Sequence, residues 1–141
     1  MRGMDSPVLR RTPQQIAGAD AEALVTERLS ALGWRILGRN LHLGRLEIDL
    51  LAVDPGPPAN LVVVEVRWRR KRDFGLAEET VDWRKRRRLR AALGRLMEVG
   101  RLSSGEAVPP LPIRVDVVAV EPAPAGATGV TVRHHRAAVG G

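Results

Sequence analysis

The chain has 141 residues, 44% of them hydrophobic, which suits a single domain with one core. A net charge of +7, from 23 Lys and Arg against 16 Asp and Glu, favours polyanionic partners, nucleic acid above all. The lack of cysteine excludes disulfides, a thiolate metal site and a cysteine nucleophile.

No run of about 18 apolar residues is present to span a bilayer, and MRGMDSPVLRR has no apolar signal segment, so the expectation is a cytoplasmic protein without a membrane partner. Residues 1–11 read as a flexible arm and residues 12–137 as one domain. Thr12-Pro-Gln-Gln15 is a capping box with proline at the first helical position, and it predicts a helix running to Leu32 with Gly33 as its cap. The apolar stripe of that helix is Gly18, Val25, Leu29 and Leu32. Glu22 falls within roughly 20° of Leu29, so its carboxylate either leans into the core or snorkels to the surface.

Trp34–Asn40 predicts a first strand, and His42-Leu-Gly-Arg45 a turn. Two apolar strands carrying acid follow, Leu46–Val53 and Leu61–Trp68, so the first three strands form a meander. Period two puts Glu47, Asp49, Leu51 and Val53 on one face of the earlier strand and Leu46, Ile48, Leu50 and Ala52 on the other. In the later strand Val63, Glu65 and Arg67 share a face. The linking segment Asp54-Pro-Gly-Pro-Pro-Ala-Asn60 is a turn centred on Pro57. An antiparallel hairpin about that centre sets Asp49 opposite Glu65 and Glu47 opposite Arg67. Opposed carboxylates repel, and strands this apolar are covered on both faces, so a cation belongs among the acids. It is either a divalent metal on oxygen ligands or a Glu47–Arg67 ion pair with the other acids at a solvated edge.

Beyond Trp68 lies the basic loop Arg69, Arg70, Lys71, Arg72, placed either to stay solvated or to grip a phosphate backbone near the acids. A second helix is predicted from Asp82 to Val99, ended by Gly100. Leu89, Ala92, Leu93, Leu96 and Met97 make its apolar face, while Arg84, Arg86, Arg87, Arg88, Arg90 and Arg95 surround it. Lys85 projects with the apolar stripe instead. Arginines in a first turn oppose the helix dipole, a cost that a phosphate ligand would relieve. The Ser/Gly/Pro content of Arg101–Pro112 points to a mobile loop. Ile113–Val120 reads as a strand with Asp116 and Arg114 on one face, and Val130–Ala137 as a short last strand. His134 and His135 face opposite ways there and read as edge residues.

Gly18-x-x-x-Glu22, Gly33-Trp-Arg-Ile-Leu with Arg39-Asn40, Glu47-Ile-Asp-Leu50, Val62-Val-Val-Glu-Val66, Lys85 and Val115-Asp-Val-Val118 resemble, in this order, the YraN-like family of small bacterial proteins. By fold that family belongs to the PD-(D/E)xK, restriction endonuclease-like, nuclease superfamily. The resemblance implies an α/β core in which a mixed central sheet is flanked by helices in αβββαβ order. It implies Asp49 and Glu65 as Mg2+ or Mn2+ ligands, Glu22 as a further acid, and Lys85 near the site. The sequence departs from the family at Leu46, where glycine is usual, and at Arg67, where the family has lysine. Arginine still stabilises phosphate charge but accepts no proton near neutral pH.

The function implied is a metal-dependent nuclease acting on DNA, with Arg67 or Lys85 at the scissile phosphate. The basic residues 69–72, 84 and 86–88 would contact nucleic acid. Fold analogy with junction-resolving members of the superfamily suggests a homodimer. The alternatives are a nucleic-acid-binding protein with a degenerate site, and a basic assembly or scaffold protein.

Overall fold

A computed structural model of the protein describes residues 18–68, 83–123 and 129–137, with the backbone alone at 18, 19, 83, 85 and 86. The elements run α1 (Gly18–Ala31), β1 (Arg35–Leu43), β2 (Leu46–Asp54), β3 (Asn60–Trp68), α2 (Trp83–Val99), β4 (Ile113–Pro122) and β5 (Val130–His135). The five strands form one mixed sheet in the order β1-β2-β3-β4-β5. Neighbours are antiparallel except β3 and β4, which run parallel. A parallel pair needs a long crossover, and α2 lies within it. The fold is α/β and consistent with a restriction endonuclease-like core.

Gly33 ends α1 for a physical reason that its sequence position foretold. Its φ of 91° suits glycine. The Gly33 amide donates to the Ser30 carbonyl and the Trp34 amide to the Leu29 carbonyl, which together make a Schellman motif. Trp34 and Leu29 are both buried in the cluster beneath the helix, supplying the apolar contact that accompanies this cap. The turn leaves Leu32 exposed at 56%, so the expectation that it belonged to the buried stripe is corrected to Ala21, Leu24, Val25 and Leu29.

Each helix covers one face of the sheet. Beneath α1 lie Leu50, Ala52, Val62, Val64, Val118 and Val120. Beneath α2 lie Leu51, Leu61, Val63 and Leu37, against Leu89, Leu93 and Leu96 of the helix. The stripe predicted for α2 is the one buried: Leu89, Ala92, Leu93 and Leu96, with Met97 half-buried. Full burial of a Leu or Val contributes roughly 1.5–3 kcal/mol. Gly100, at φ 79°, closes the helix, its amide donating to the Leu96 carbonyl.

Residues 101–112 are anchored, contrary to the mobile loop that their composition suggested. Arg101 and Ala107 form a β-bridge, Leu102 and Val108 are buried in the α2 cluster, and the Arg101 guanidinium caps the Gly105 carbonyl. Two apolar anchors outweigh the polar residues between them.

The hairpin register centred on Pro57 holds from Leu50↔Val64 to Asp54↔Asn60. Below Leu50 the simple alternation fails. Leu46 and Ile48 belong to the α2 cluster with Leu51 and Val53, not to the face of Leu50 and Ala52. The change falls between the pairs Arg39↔Leu50 and Leu41↔Ile48, where Asn40 has a φ of 51°. A left-handed residue inside a strand rotates the chain that follows. Leu41 and Leu43 turn with their partners Ile48 and Leu46 onto the α2 side.

Candidate metal and phosphate site

Asp49 occupies the point where β2 parts from β3. The β2–β3 ladder ends at Leu50↔Val64, and beyond it the Asp49 Oδ2 accepts the Val66 amide at 2.8 Å. The side chain thus replaces the missing backbone partner and is fixed beside β3. Glu65 immediately precedes Val66, so these two carboxylates stand on adjacent strands at the same level of the sheet. Both are half-buried.

Arg67 shares the Glu65 face of β3, and its Nη2 lies 3.5 Å from the Glu65 Oε1. That is longer than the roughly 2.7–2.9 Å of a charge-assisted hydrogen bond. The Arg67 Nε is buried and has no hydrogen-bond partner among the described residues. A buried charged N–H without an acceptor is costly, so this guanidinium is held in place incompletely satisfied.

The Glu47–Arg67 pair expected as the alternative cation is corrected. Glu47 is exposed on the rotated end of the hairpin, where its Oε2 lies 3.7 Å from His42 Nε2, and Arg67 turns to Glu65 instead. The ladder stops before it would bring residues 47 and 67 together.

Glu22 is half-buried on α1, and its carboxylate makes no hydrogen bond or ion pair with another described residue. Among the described residues no three His, Cys, Asp or Glu side chains converge so as to hold a metal ion. Asp49 and Glu65 are two oxygen donors on adjacent strands, and a hard divalent cation held by such a pair would take its remaining positions from water and phosphate oxygens, as is common for magnesium. Arg84, Arg87, Arg88, Arg90 and Arg95 are exposed on α2. The side chains of Lys85 and Arg86, and all of Arg69, Arg70, Lys71 and Arg72, lie outside the described residues.

A second polar cluster, on the α1 side of the sheet and reaching from the level of Val64 towards the β2–β3 turn, escaped sequence reasoning. Asp116, with 0% of its surface exposed, accepts Arg114 Nε and the Ala137 amide on Oδ1. On Oδ2 it accepts Arg114 Nη2 and approaches His134 Nε2 at 2.8 Å. Arg114 Nη2 also reaches Asp54 Oδ2 at 2.9 Å. Burial opposes ionisation of Asp116, but His134, Arg114 and the Ala137 amide together hold its carboxyl below the usual range. At Asp54 burial is likewise outweighed, by the Gly56 amide and Arg114. Hydrogen bonding to Asp116 raises the Arg114 pKa further.

Arg114 and Arg136 lie 5.6 and 5.7 Å from the Trp34 ring centroid, and His134 is 5.5 Å from it. A cleft of about 400 Å³ opens between Trp34, Arg114 and Arg136 and the Pro55–Pro58 turn. With a guanidinium already bridging its carboxylates, the cluster is an internally neutralised clamp on β5 rather than a cation site. Its one sequence signal was the pairing of Arg114 and Asp116 on a shared face. His134 lies on the edge strand as expected, but its ring is tucked against Asp116.

Fold and site together define a small α/β protein with a restriction endonuclease-like core, carrying a carboxylate pair where two central strands part. A family model described as "Uncharacterised protein family UPF0102" matches residues 21–120, and the chain belongs to that family. It is 45% identical over 109 residues to a UPF0102 protein of Symbiobacterium thermophilum, covering 77% of this chain and 85% of that one. A UPF0102 protein of Pseudomonas syringae pv. tomato is 36% identical over 126 residues, covering 89% and 91%. One from Methylococcus capsulatus is 36% identical over 119 residues, covering 84% and 89%. Among the described residues, no helix is long and apolar enough to cross a membrane.

Proposed function

We propose that this chain is a cytoplasmic, metal-dependent nuclease of the PD-(D/E)xK superfamily that hydrolyses phosphodiester bonds, with DNA as its substrate and a homodimer as its working form. The observation that carries the reading is Asp49 fixed by the Val66 amide beside Glu65 at the end of the β2–β3 ladder. Asp49 and Glu65 would hold Mg2+ or Mn2+. When bound, such an ion supplies charge neutralisation at the phosphate and a water of lowered pKa.

The chain's own residues do the rest. The Val66 amide orients Asp49 in advance. Arg67 presents guanidinium donors to the non-bridging phosphate oxygens but, being always protonated, takes no proton from water. The exposed arginines of α2, with the basic loop after β3, would hold the nucleic-acid backbone through charge, independently of sequence.

One observation favours a second reading. Arg67 already stands 3.5 Å from Glu65, as it would in a nucleic-acid-binding protein whose metal site has been replaced by a built-in cation. Incubation of purified protein with single-stranded, duplex and branched DNA and with RNA, in Mg2+ or Mn2+, separates the two. The nuclease predicts metal-stimulated cleavage that falls by roughly 10²-fold or more in Asp49→Ala, the scale on which preorganised electrostatic groups act. Binding that weakens with salt, unaffected by Asp49→Ala and unaccompanied by cleavage of any substrate, would establish the second reading instead.

A further inference from the structure

Arg67 shows two features that a simple structural ion pair does not combine. Its contact with Glu65 is long, at 3.5 Å, and its Nε is buried without an acceptor among the described residues, although the side chain retains 30% of its exposure. A guanidinium binds a phosphodiester side-on by presenting two N–H donors to two phosphate oxygens, Nε with one Nη being such a pair. Here that pair is Nε, which has no partner, and Nη2, which Glu65 holds weakly.

We propose that Arg67 is a resident cation that occupies the Glu65 carboxylate until a phosphodiester draws it away, so that nucleic acid and divalent metal bind cooperatively at this site. The inference rests on the reading of Asp49 and Glu65 as metal ligands. While Arg67 Nη2 stays beside Glu65, a divalent cation approaching that carboxylate meets a like charge. A phosphodiester that takes Nε and Nη2 satisfies the buried donor and draws this guanidinium away from Glu65 in one movement. Asp49 does not move in this exchange, because its Oδ2 is tied to the Val66 amide. By linkage, whatever factor nucleic acid adds to metal affinity, metal must add to nucleic-acid affinity.

The test is Mn2+ binding by the full chain, followed by calorimetry and by the electron paramagnetic resonance signal of free Mn2+. It is run with and without a short DNA duplex, whose own Mn2+ uptake is measured separately. Without DNA, Arg67→Met should bind Mn2+ about 5- to 150-fold more tightly than the wild type, the usual span of a coupling between sites. DNA should tighten Mn2+ binding to the wild type but add little in Arg67→Met. Arg67→Lys keeps the charge and loses the side-on pair, so it should bind Mn2+ as weakly as the wild type and show a smaller gain with DNA.

Equal Mn2+ affinity in wild type and Arg67→Met, with binding abolished by Glu65→Gln in both, would overturn the proposal and leave the metal site standing. Absence of any Mn2+ binding sensitive to Asp49→Asn or Glu65→Gln, in wild type and Arg67→Met alike, would overturn the metal-site reading itself. Arg67→Lys keeps the exchange testable if Arg67→Met fails to fold.

Discussion

Asp116→Ala should be among the most damaging substitutions in the chain, although it removes nothing from the proposed site. Its carboxylate gathers four contacts at 2.8–2.9 Å, from Arg114 Nε and Nη2, His134 Nε2 and the Ala137 amide. Truncation leaves the Arg114 guanidinium, 18% exposed, with Asp54 as its remaining carboxylate. Breaking a buried pair from one side costs on the order of 3–5 kcal/mol. With an unfolding entropy of about 2.1 cal/mol/K per residue, that is a fall in Tm of roughly 10–17 °C for a chain of this length.

The pH dependence has a definite sign. The Asp116 carboxyl is held below its ordinary value in the folded state, because the contacts from His134, Arg114 and Ala137 overcome the opposing effect of burial. The stability it contributes is therefore complete above the unfolded value of about 3.9 and is lost as pH falls through the lower folded value. Urea denaturation of wild type and Asp116→Asn, followed by tryptophan fluorescence, should show a difference that is constant from pH 7 to about 5 and narrows below pH 4. An Asp116→Ala protein within about 1 kcal/mol of wild type at pH 7 would refute the reasoning, since typical surface changes fall within about 0.5 kcal/mol. So would an Asn difference that stays constant down to pH 3.

Two glycines should respond in opposite directions. Gly94 sits exposed within α2 with nothing within 4 Å of a would-be Cβ, so Gly94→Ala should stabilise by roughly 0.5–1 kcal/mol in the same urea assay. Gly56 has a φ of 61° and would place a Cβ 2.0 Å from the Pro58 carbonyl oxygen, so Gly56→Ala should destabilise by about 2 kcal/mol or more. In nucleic-acid binding, Arg87→Ala and Arg88→Ala should each lower the slope of log affinity against log salt by about 1 if each residue meets a phosphate. A slope unchanged in both would remove α2 from the interface.

Much of the fold could be read from local rules because local chemistry decided it. Gly33 followed an apolar helix and met a tryptophan, and the cap formed there. The apolar stripe of α2 at helical spacing became its buried face, and a proline-rich turn fixed the β2–β3 register through Leu50↔Val64. What escaped was set by tertiary packing. Asp116 and His134 are 18 residues apart and meet only because β5 pairs with β4. Leu102 and Val108 pin a segment whose composition alone suggested freedom, because the α2 cluster offers both of them burial.

At the acidic strands, period two was a sound guide as far as the ladder itself extends. It placed Glu65 and Arg67 on one face, and their contact follows from that spacing along a single strand. It went wrong at Leu46 and Ile48, because alternation assumes a backbone with no rotated residue, and Asn40 at φ 51° sits in the partner strand at that level. The rotation carries Glu47 out to His42, away from Arg67. Arg67, two residues on along the same strand, is thereby the arginine that meets Glu65, and Glu47 across the sheet meets His42. A cation supplied from the same strand is tethered to the acid it meets. The exchange proposed above would need a side-chain movement alone, without disturbing the Val66 amide that holds Asp49 in place.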